Sequence, residues 1–171
     1  MLGPEMRSTG EVLGLAADFG EAFYKAQEAT QTVLPTEGAA LISVSDRDKD
    51  EVVAVARGLA ECGFKIIATG GTCDVITAAG IAAERVAKIN EGRPNVLDLI
   101  TNKEVTVIVN TPNGKKGAVD DSYIRKAAIK NRIAYMTTMA AAQATVEGIR
   151  AVKASGTLPV KSLQEFHAEI R

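Results

Sequence analysis

The sequence predicts an α/β fold: a three-layer sandwich with a parallel, doubly wound sheet of five strands. Short, largely apolar runs recur along the chain: residues 39–44 are typical of a strand buried on both faces, and residues 105–109, rich in β-branched residues, are the most strand-like run. Segments with helical spacing of apolar residues separate these runs, which favours parallel pairing through right-handed crossovers. The length of 171 residues suits one domain with a sizeable core.

The composition indicates an ordinary globular protein and narrows its partners. Hydrophobic residues make up 46% of the chain and charged residues 24%, which argues against disorder. Lys and Arg number 20 against 21 for Asp and Glu, so no overall positive field attracts nucleic acid, and an anion site must be local. No apolar stretch is long enough for a membrane helix. We therefore expect a cytoplasmic protein that has neither nucleic acid nor a membrane as partner.

The reactive side chains do not form a recognisable catalytic or metal site. Cys62 and Cys73 have no metal-ligand spacing and no redox motif, and His167 is the only histidine. No nucleophile–base constellation is evident. We predict neither catalytic residues nor metal ligands.

The first predicted element is a helix over residues 8–30. Its apolar side chains recur every three or four residues: Val12, Leu15, Phe19, Phe23 and Ala26. Residues 32–38 then have turn chemistry. We predict that residues 1–35 are a helix and linker apart from the main domain, which spans residues 36–171.

Strands and helices alternate after this linker. The strands are expected at 39–44, 64–68, 83–86, 105–109 and 133–135. The helices are expected at 48–62, 73–79, 96–100, 121–131, 139–153 and 163–170. In folds of this class ligands bind at the carboxyl ends of the strands, so polar residues there are the candidates for a site.

The end of the first strand carries Ser43, Ser45 and Lys49. Ser45 and Asp48 have the spacing of a capping box. Lys49 falls in the first turn of the next helix, where the helix dipole disfavours a cation unless an anion is near. Lys49 is therefore either a solvated side chain or an anion ligand.

The end of the second strand reads Thr69-Gly70-Gly71-Thr72. The two glycines permit close backbone approach and positive φ angles, and the N–H groups of the following helix are donors for a phosphate. The alternative is a tight turn with Thr72 as the helix N-cap. The stretch lacks the Gly-Lys-Ser/Thr of a P-loop.

The later strand ends add Lys88, Asn110 and Thr111. The segment 112–114 (Pro-Asn-Gly) is also a strong turn signal, and Lys115 and Lys116 are either part of the site or solvated side chains. Two lysines, a Gly-Gly turn and two threonines at neighbouring strand ends together predict an anion pocket.

Several stretches in this order resemble one known family. LISVSDRDK, IIATGGT, INEGRPNVLDLI and VIVNTPNGKK, with the opening residues 3–12, are similar to the methylglyoxal synthase-like domains that close the large chains of carbamoyl phosphate synthases. The resemblance implies that residues 1–35 end a preceding ATP-grasp domain. It also implies that residues 36–171 bind an allosteric nucleotide monophosphate, UMP or IMP.

The resemblance implies roles for individual residues. The phosphate would be bound by Lys49, Thr69, Gly70, Gly71, Thr72 and Lys88. The ribose and base would be surrounded by Ser43, Asn110, Thr111 and Asp120. Tyr135 and Thr137 would belong to a second effector region, although Met136 stands where the family's ornithine site has aspartate. Pro112 replaces a threonine of the enterobacterial pattern.

The resemblance also implies the parent enzyme and its partners. That ligase makes carbamoyl phosphate from bicarbonate, glutamine-derived ammonia and ATP, for pyrimidine and arginine synthesis. It would work with a small glutaminase subunit and would use ATP, Mg²⁺ or Mn²⁺ and K⁺. The resemblance implies no cofactor for this segment.

The sequence leaves two other functions open. One is a lyase of the methylglyoxal synthase type, but residues 91–94 read Glu-Gly-Arg-Pro where that enzyme carries a Gly-Gly-Asp stretch. The other is a structural oligomerisation domain.

Overall fold

Five parallel strands form one sheet at the centre of the protein. The computed structural model describes residues 6, 9–30, 33–112, 114–156 and 160–169, with the backbone alone for 114–118. The strands are β1 (Ala39–Ser43), β2 (Lys65–Thr69), β3 (Glu84–Val86), β4 (Val107–Asn110) and β5 (Ala134–Met136). Their order is β3-β2-β1-β4-β5. The predicted doubly wound, five-stranded sheet is confirmed.

Helices cover both faces of the sheet. They are α1 (Phe19–Ala29), α2 (Lys49–Glu61), α3 (Gly70–Ala78), α4 (Val96–Thr101), α5 (Gly114–Asn131), α6 (Met139–Ser155) and α7 (Leu163–Glu169), with a 3-10 turn at Asp46–Asp48. The buried side chains of α2, α3 and α6 pack on one face, and those of α4 and α5 pack on the other. Within the described residues, no helix is long and apolar enough to cross a membrane.

The central strands β1 and β4 are apolar up to their last residue because successive side chains enter two different cores. In β1, Ala40 and Ile42 belong to the core under α2 and α6, whereas Ala39 and Leu41 belong to the core under α4 and α5. A strand with helices on both sides has no solvent face, so it needs no polar alternation.

The predicted helix over residues 8–30 is too long. Helix α1 begins at Phe19, where Asp18 accepts a hydrogen bond from the Glu21 N–H at 2.9 Å. Before it the chain folds back over the helix, so that a Cβ at Gly14 would lie 2.8 Å from the backbone nitrogen of Ala26. The apolar spacing of residues 12–26 therefore spans an irregular segment and a helix.

Helix α1 packs against α6. A Cβ at Gly20 would lie 2.7 Å from the carbonyl oxygen of Glu147, and one at Gly148 would lie 3.3 Å from the Phe23 ring. The buried Tyr24 hydroxyl donates to the carbonyl of Leu34 at 3.0 Å. The predicted apolar stripe is only partly buried, since Val12 is 44% exposed and Phe19 61%.

Two other helices begin earlier than predicted. Helix α3 starts at Gly70 with Thr69 as its N-cap, so Thr72 is not the cap, and neither glycine has a positive φ. Helix α5 starts at Gly114 instead of residue 121. The predicted turn at 112–114 includes Asn113, which lies outside the described residues.

Candidate functional site

A cavity of about 220 Å³ opens at the carboxyl ends of the strands. It lies where β1 and β4 are neighbours, and Ser43 and Asn110 are register partners at that edge. The chain reverses its winding direction between these strands, which is where α/β sheets bind ligands. The cavity is lined by Ser43, Val44, Asp46, Lys49, Thr69, Gly71, Thr72, Lys88, Ile89, Val96, Asn110, Thr111, Asp120, Asp121 and Ile124.

The structure brings most of the predicted site residues to this cavity. Gly70, Tyr135 and Thr137 do not line it. Tyr135 is nevertheless adjacent, because its hydroxyl contacts Asn110. Lys115 and Lys116 are in α5, and their side chains lie outside the description.

Buried hydroxyl groups join the loops around the cavity. The Thr69 hydroxyl donates to the Ser43 hydroxyl at 2.9 Å, and Thr72 Oγ1 accepts from the Val44 N–H at 3.2 Å. Thr111 Oγ1 accepts from the Ser45 N–H at 2.9 Å. The loops after β1, β2 and β4 are therefore fixed to one another by side chains that line the cavity.

The Lys49 ammonium lies directly over the start of α3. A Cβ at Gly71 would come within 3.0 Å of Lys49 Nζ, so glycine leaves room for the cation against the backbone. Lys49 Nζ also lies 2.6 Å from Asp46 Oδ1. The hydrogen bond from Lys49 lowers the pKa of Asp46, with smaller contributions from the charges of Lys49 and Lys88. Two cations therefore act on the same region of the cavity.

Lys88 approaches that region from the loop after β3. Its backbone N–H donates to Glu91 Oε2 at 3.0 Å, which holds the loop in shape. Of the ion pairs in the described part of the chain, none includes Lys88.

The predicted capping box at Ser45 and Asp48 is wrong. The Ser45 hydroxyl donates to Asp48 Oδ2 at 2.6 Å instead of accepting from a helix N–H. This bond, followed by one from the Thr111 hydroxyl, lowers the pKa of Asp48. A capping box exists elsewhere, where Asn95 and Asp98 begin α4.

Asp121 is a cavity residue that the sequence analysis missed. Asn110 donates from Nδ2 to Asp121 Oδ1 at 2.9 Å and to the Tyr135 hydroxyl at 3.0 Å. With both amide hydrogens used, Asn110 retains its carbonyl oxygen as an acceptor. Asp121 Oδ2 is buried and has no partner among the described residues. The sequence offers two adjacent carboxylates, Asp120 and Asp121, but only Asp120 is among the predicted site residues.

The described residues contain no group of three or more His, Cys, Asp or Glu side chains able to hold a metal ion. Both cysteines are buried thiols. The polar groups of the cavity are therefore ammonium, hydroxyl, amide and carboxylate groups, which suit a ligand with both an anionic end and hydrogen-bond donors.

Comparison with known proteins identifies relatives across the whole chain. The family model of the MGS-like domain matches residues 51–137. The chain is 49% identical over 170 residues to a carbamoyl phosphate synthase large chain of Archaeoglobus fulgidus and 48% identical over 171 residues to that of Pseudomonas putida. It covers 16% of each of these relatives. A carbamoyl phosphate synthase large chain, C-terminal section, of Methanopyrus kandleri is 48% identical over 168 residues and is covered to 31%.

Solved structures show the same fold at low sequence identity. A methylglyoxal synthase from Elizabethkingia anophelis NUHP1 has a TM-score of 0.54 at 18% identity, covering 66% of this chain and 79% of that one. The structure of ForH has a TM-score of 0.51 at 19% identity, covering 70% and 82%. The family match, the relatives and the sheet topology agree, and the chain belongs to the MGS-like domain family.

Proposed function

We propose that this domain binds a nucleoside monophosphate, UMP or IMP, as an allosteric effector of a carbamoyl phosphate synthase large chain. The observation that carries the proposal is the convergence of Lys49, Lys88 and the N-terminal turn of α3 on one cavity. Two ammonium groups and helix N–H donors bind a phosphoryl dianion, and the hydroxyls of Thr69 and Thr72 add further polar contacts.

The other end of the cavity supports a sugar and base rather than a second anion. Asn110 Oδ1 and the carboxylates of Asp120 and Asp121 are acceptors, so they favour hydroxyl and N–H donors of a ligand. A nucleotide presents its phosphate and these donors at opposite ends.

The effector would influence its parent chain through packed elements. Tyr135 in β5 contacts Asn110, α6 follows β5, and α1 packs on α6. In a complete large chain, α1 would connect this domain to the ATP-grasp domain before it. The effector would then shift the conformational balance of a cytoplasmic ligase that uses ATP, Mg²⁺ or Mn²⁺, K⁺ and a glutaminase subunit.

Isothermal titration calorimetry with UMP and IMP tests the binding. We expect Lys49→Ala and Lys88→Ala each to weaken the affinity by about 10- to 100-fold, because each removes a charged hydrogen bond worth about 1.5–3 kcal/mol. Lys65→Ala is the matched control, since Lys65 is at the opposite end of β2, paired with Glu84 at 2.7 Å.

Absence of heat with both nucleotides at millimolar concentration, together with an unchanged melting temperature, would reject the proposal. Methylglyoxal formation from dihydroxyacetone phosphate would instead support a lyase. In a complete large chain, Lys49→Ala and Lys88→Ala should abolish the response to the effector; an unchanged response would support a structural role.

A further inference from the structure

We propose that Asp46 is an internal competitor for the phosphoryl site, which a ligand displaces from Lys49 on binding. The inference rests on the proposed function and adds a residue that sets its affinity. Asp46 is a carboxylate that lines the cavity beside the cations. A phosphate site needs positive charge and hydrogen-bond donors, so the presence of a carboxylate there requires a separate explanation.

The carboxylate of Asp46 occupies a position suited to a phosphoryl oxygen. Its Oδ1 lies 2.6 Å from Lys49 Nζ, a distance typical of a charged hydrogen bond. The charge of Lys88 also stabilises its ionised form. A phosphoryl group contacting both lysines would therefore compete with Asp46 for Lys49, and the two anions would repel each other if both remained.

The surroundings of Asp46 allow it to leave. Its side chain is 85% exposed, whereas that of Lys49 is 29% exposed, so the carboxylate can rotate into water without leaving a buried polar group unpaired. Asp48, two residues on, differs: it is 17% exposed and accepts a hydrogen bond from Ser45. Asp46 is thus the replaceable carboxylate of this turn, and Asp48 is the fixed one.

Competition of this kind favours doubly charged ligands. Displacing Asp46 exchanges one negative charge near Lys49 and Lys88 for the charge of the ligand, so a phosphate dianion gains more than a monoanion. The carboxylate also lowers the apparent affinity for every ligand that needs Lys49, because part of the binding free energy is used to displace it.

The test compares Asp46→Asn with Asp50→Asn by calorimetry, using inorganic phosphate and UMP as probes. Asp50 is an exposed carboxylate in the first turn of α2 that does not line the cavity, so its variant changes net charge equally. We expect Asp46→Asn to tighten the binding of both probes at least about fivefold and Asp50→Asn to change it less than about twofold. Thermal melts check that both variants fold.

A Lys49→Ala background provides the second arm. In that background Asp46 has lost the group for which it competes. The change in binding free energy caused by Asp46→Asn should therefore be less than half of the change that it causes when Lys49 is present. Equal effects of Asp46→Asn and Asp50→Asn, or weaker binding by Asp46→Asn, would overturn the inference while leaving the phosphate site in place. Failure of the unsubstituted protein to bind either probe would reject the proposed function and this inference with it.

Discussion

At the residue scale, Gly70 and Gly71 are adjacent in the same helical turn but differ in their surroundings. A Cβ at position 71 would lie 3.0 Å from Lys49 Nζ, whereas one at position 70 would meet no heavy atom within 4 Å. The sequence predicts close approach and positive φ angles at both glycines; close approach occurs at Gly71 alone, and neither glycine has a positive φ.

We predict that Gly71→Ala weakens phosphate binding at least about tenfold without lowering stability. The Lys49 ammonium is the end of a flexible chain and moves away at little cost to folding, while alanine loses less backbone entropy than glycine on folding. Gly70→Ala should bring the same stabilisation and keep the affinity. Calorimetry and urea denaturation of both variants measure this, and equal affinities would contradict it.

Asn110 in β4 connects three elements, because its side-chain amide donates to Asp121 in α5 and to Tyr135 in β5. We predict that Asn110→Ala lowers the free energy of unfolding by about 1–3 kcal/mol, because Asp121 then loses its donor in a partly buried position. Asn90→Ala is the control, since Asn90 is exposed and its contact with Asp120 is 3.4 Å long. Urea denaturation gives both values, and a loss no greater than that of Asn90→Ala would refute the role.

At the element scale, the turn that leads into α2 contains a carboxylate with a lowered pKa. The hydrogen bonds of the Ser45 and Thr111 hydroxyls stabilise ionised Asp48 in the folded protein. In the unfolded chain Asp48 titrates near its ordinary value of about 3.9. The stabilisation is therefore complete above that pH and is lost as the pH falls through the lower pKa of the folded state.

We predict that Asp48→Asn flattens the acid limb of the stability profile. The difference in unfolding free energy between the unsubstituted protein and the variant should be constant from about pH 6 to pH 8 and shrink below about pH 4. Ser45→Ala should weaken the same dependence, since it removes the largest cause of the shift. Denaturant melts at several pH values measure these differences, and parallel profiles down to about pH 3 would contradict the assignment.

The central strands could be predicted from sequence, while the starts of α1, α3 and α5 could not. The apolar runs around Leu41 and Ile108 are unambiguous because both faces of these strands are buried. The start of α3 was missed because Gly-Gly normally ends regular structure, whereas here the space beside Gly71 is taken by a side chain of α2. The start of α1 was missed because apolar spacing does not reveal that the chain reverses near Asp18.

The cavity itself was partly predictable for a similar reason. The rule that ligands bind at strand ends brought together Lys49, Thr69 and Asn110 without any knowledge of contacts. Asp121 and the contact of Tyr135 with Asn110 could not be found this way, because hydrogen bonds between α5, β4 and β5 leave no local pattern. The assignment of residues 1–35 to a preceding domain stays a prediction.

At the scale of the whole molecule, the contact between α1 and α6 joins the first described helix to the body of the domain. We predict that Gly20→Ala lowers the free energy of unfolding by about 1–3 kcal/mol, because its Cβ would lie 2.7 Å from the carbonyl oxygen of Glu147 and force the helices apart. Ala29→Ser, at the end of α1, is the control. Gly80→Ser would not serve, because Gly80 has a positive φ of 77° that disfavours a side chain. Thermal and urea melts measure the change, and a Gly20→Ala variant as stable as Ala29→Ser would show that the helices adjust freely.

Because Ser43 and Asn110 are register partners at the carboxyl ends of β1 and β4, a bound ligand would also protect the backbone amides of these strands from hydrogen exchange. The walls of the cavity come from segments after β1, β2, β3 and β4, so no short stretch of the chain contains a working portion of it. Separation of β1 from β4 would destroy the cavity. A ligand can therefore bind only to molecules in which these two strands are paired. A ligand held there should therefore slow amide exchange in the middle of the sheet as well as in the loops it contacts.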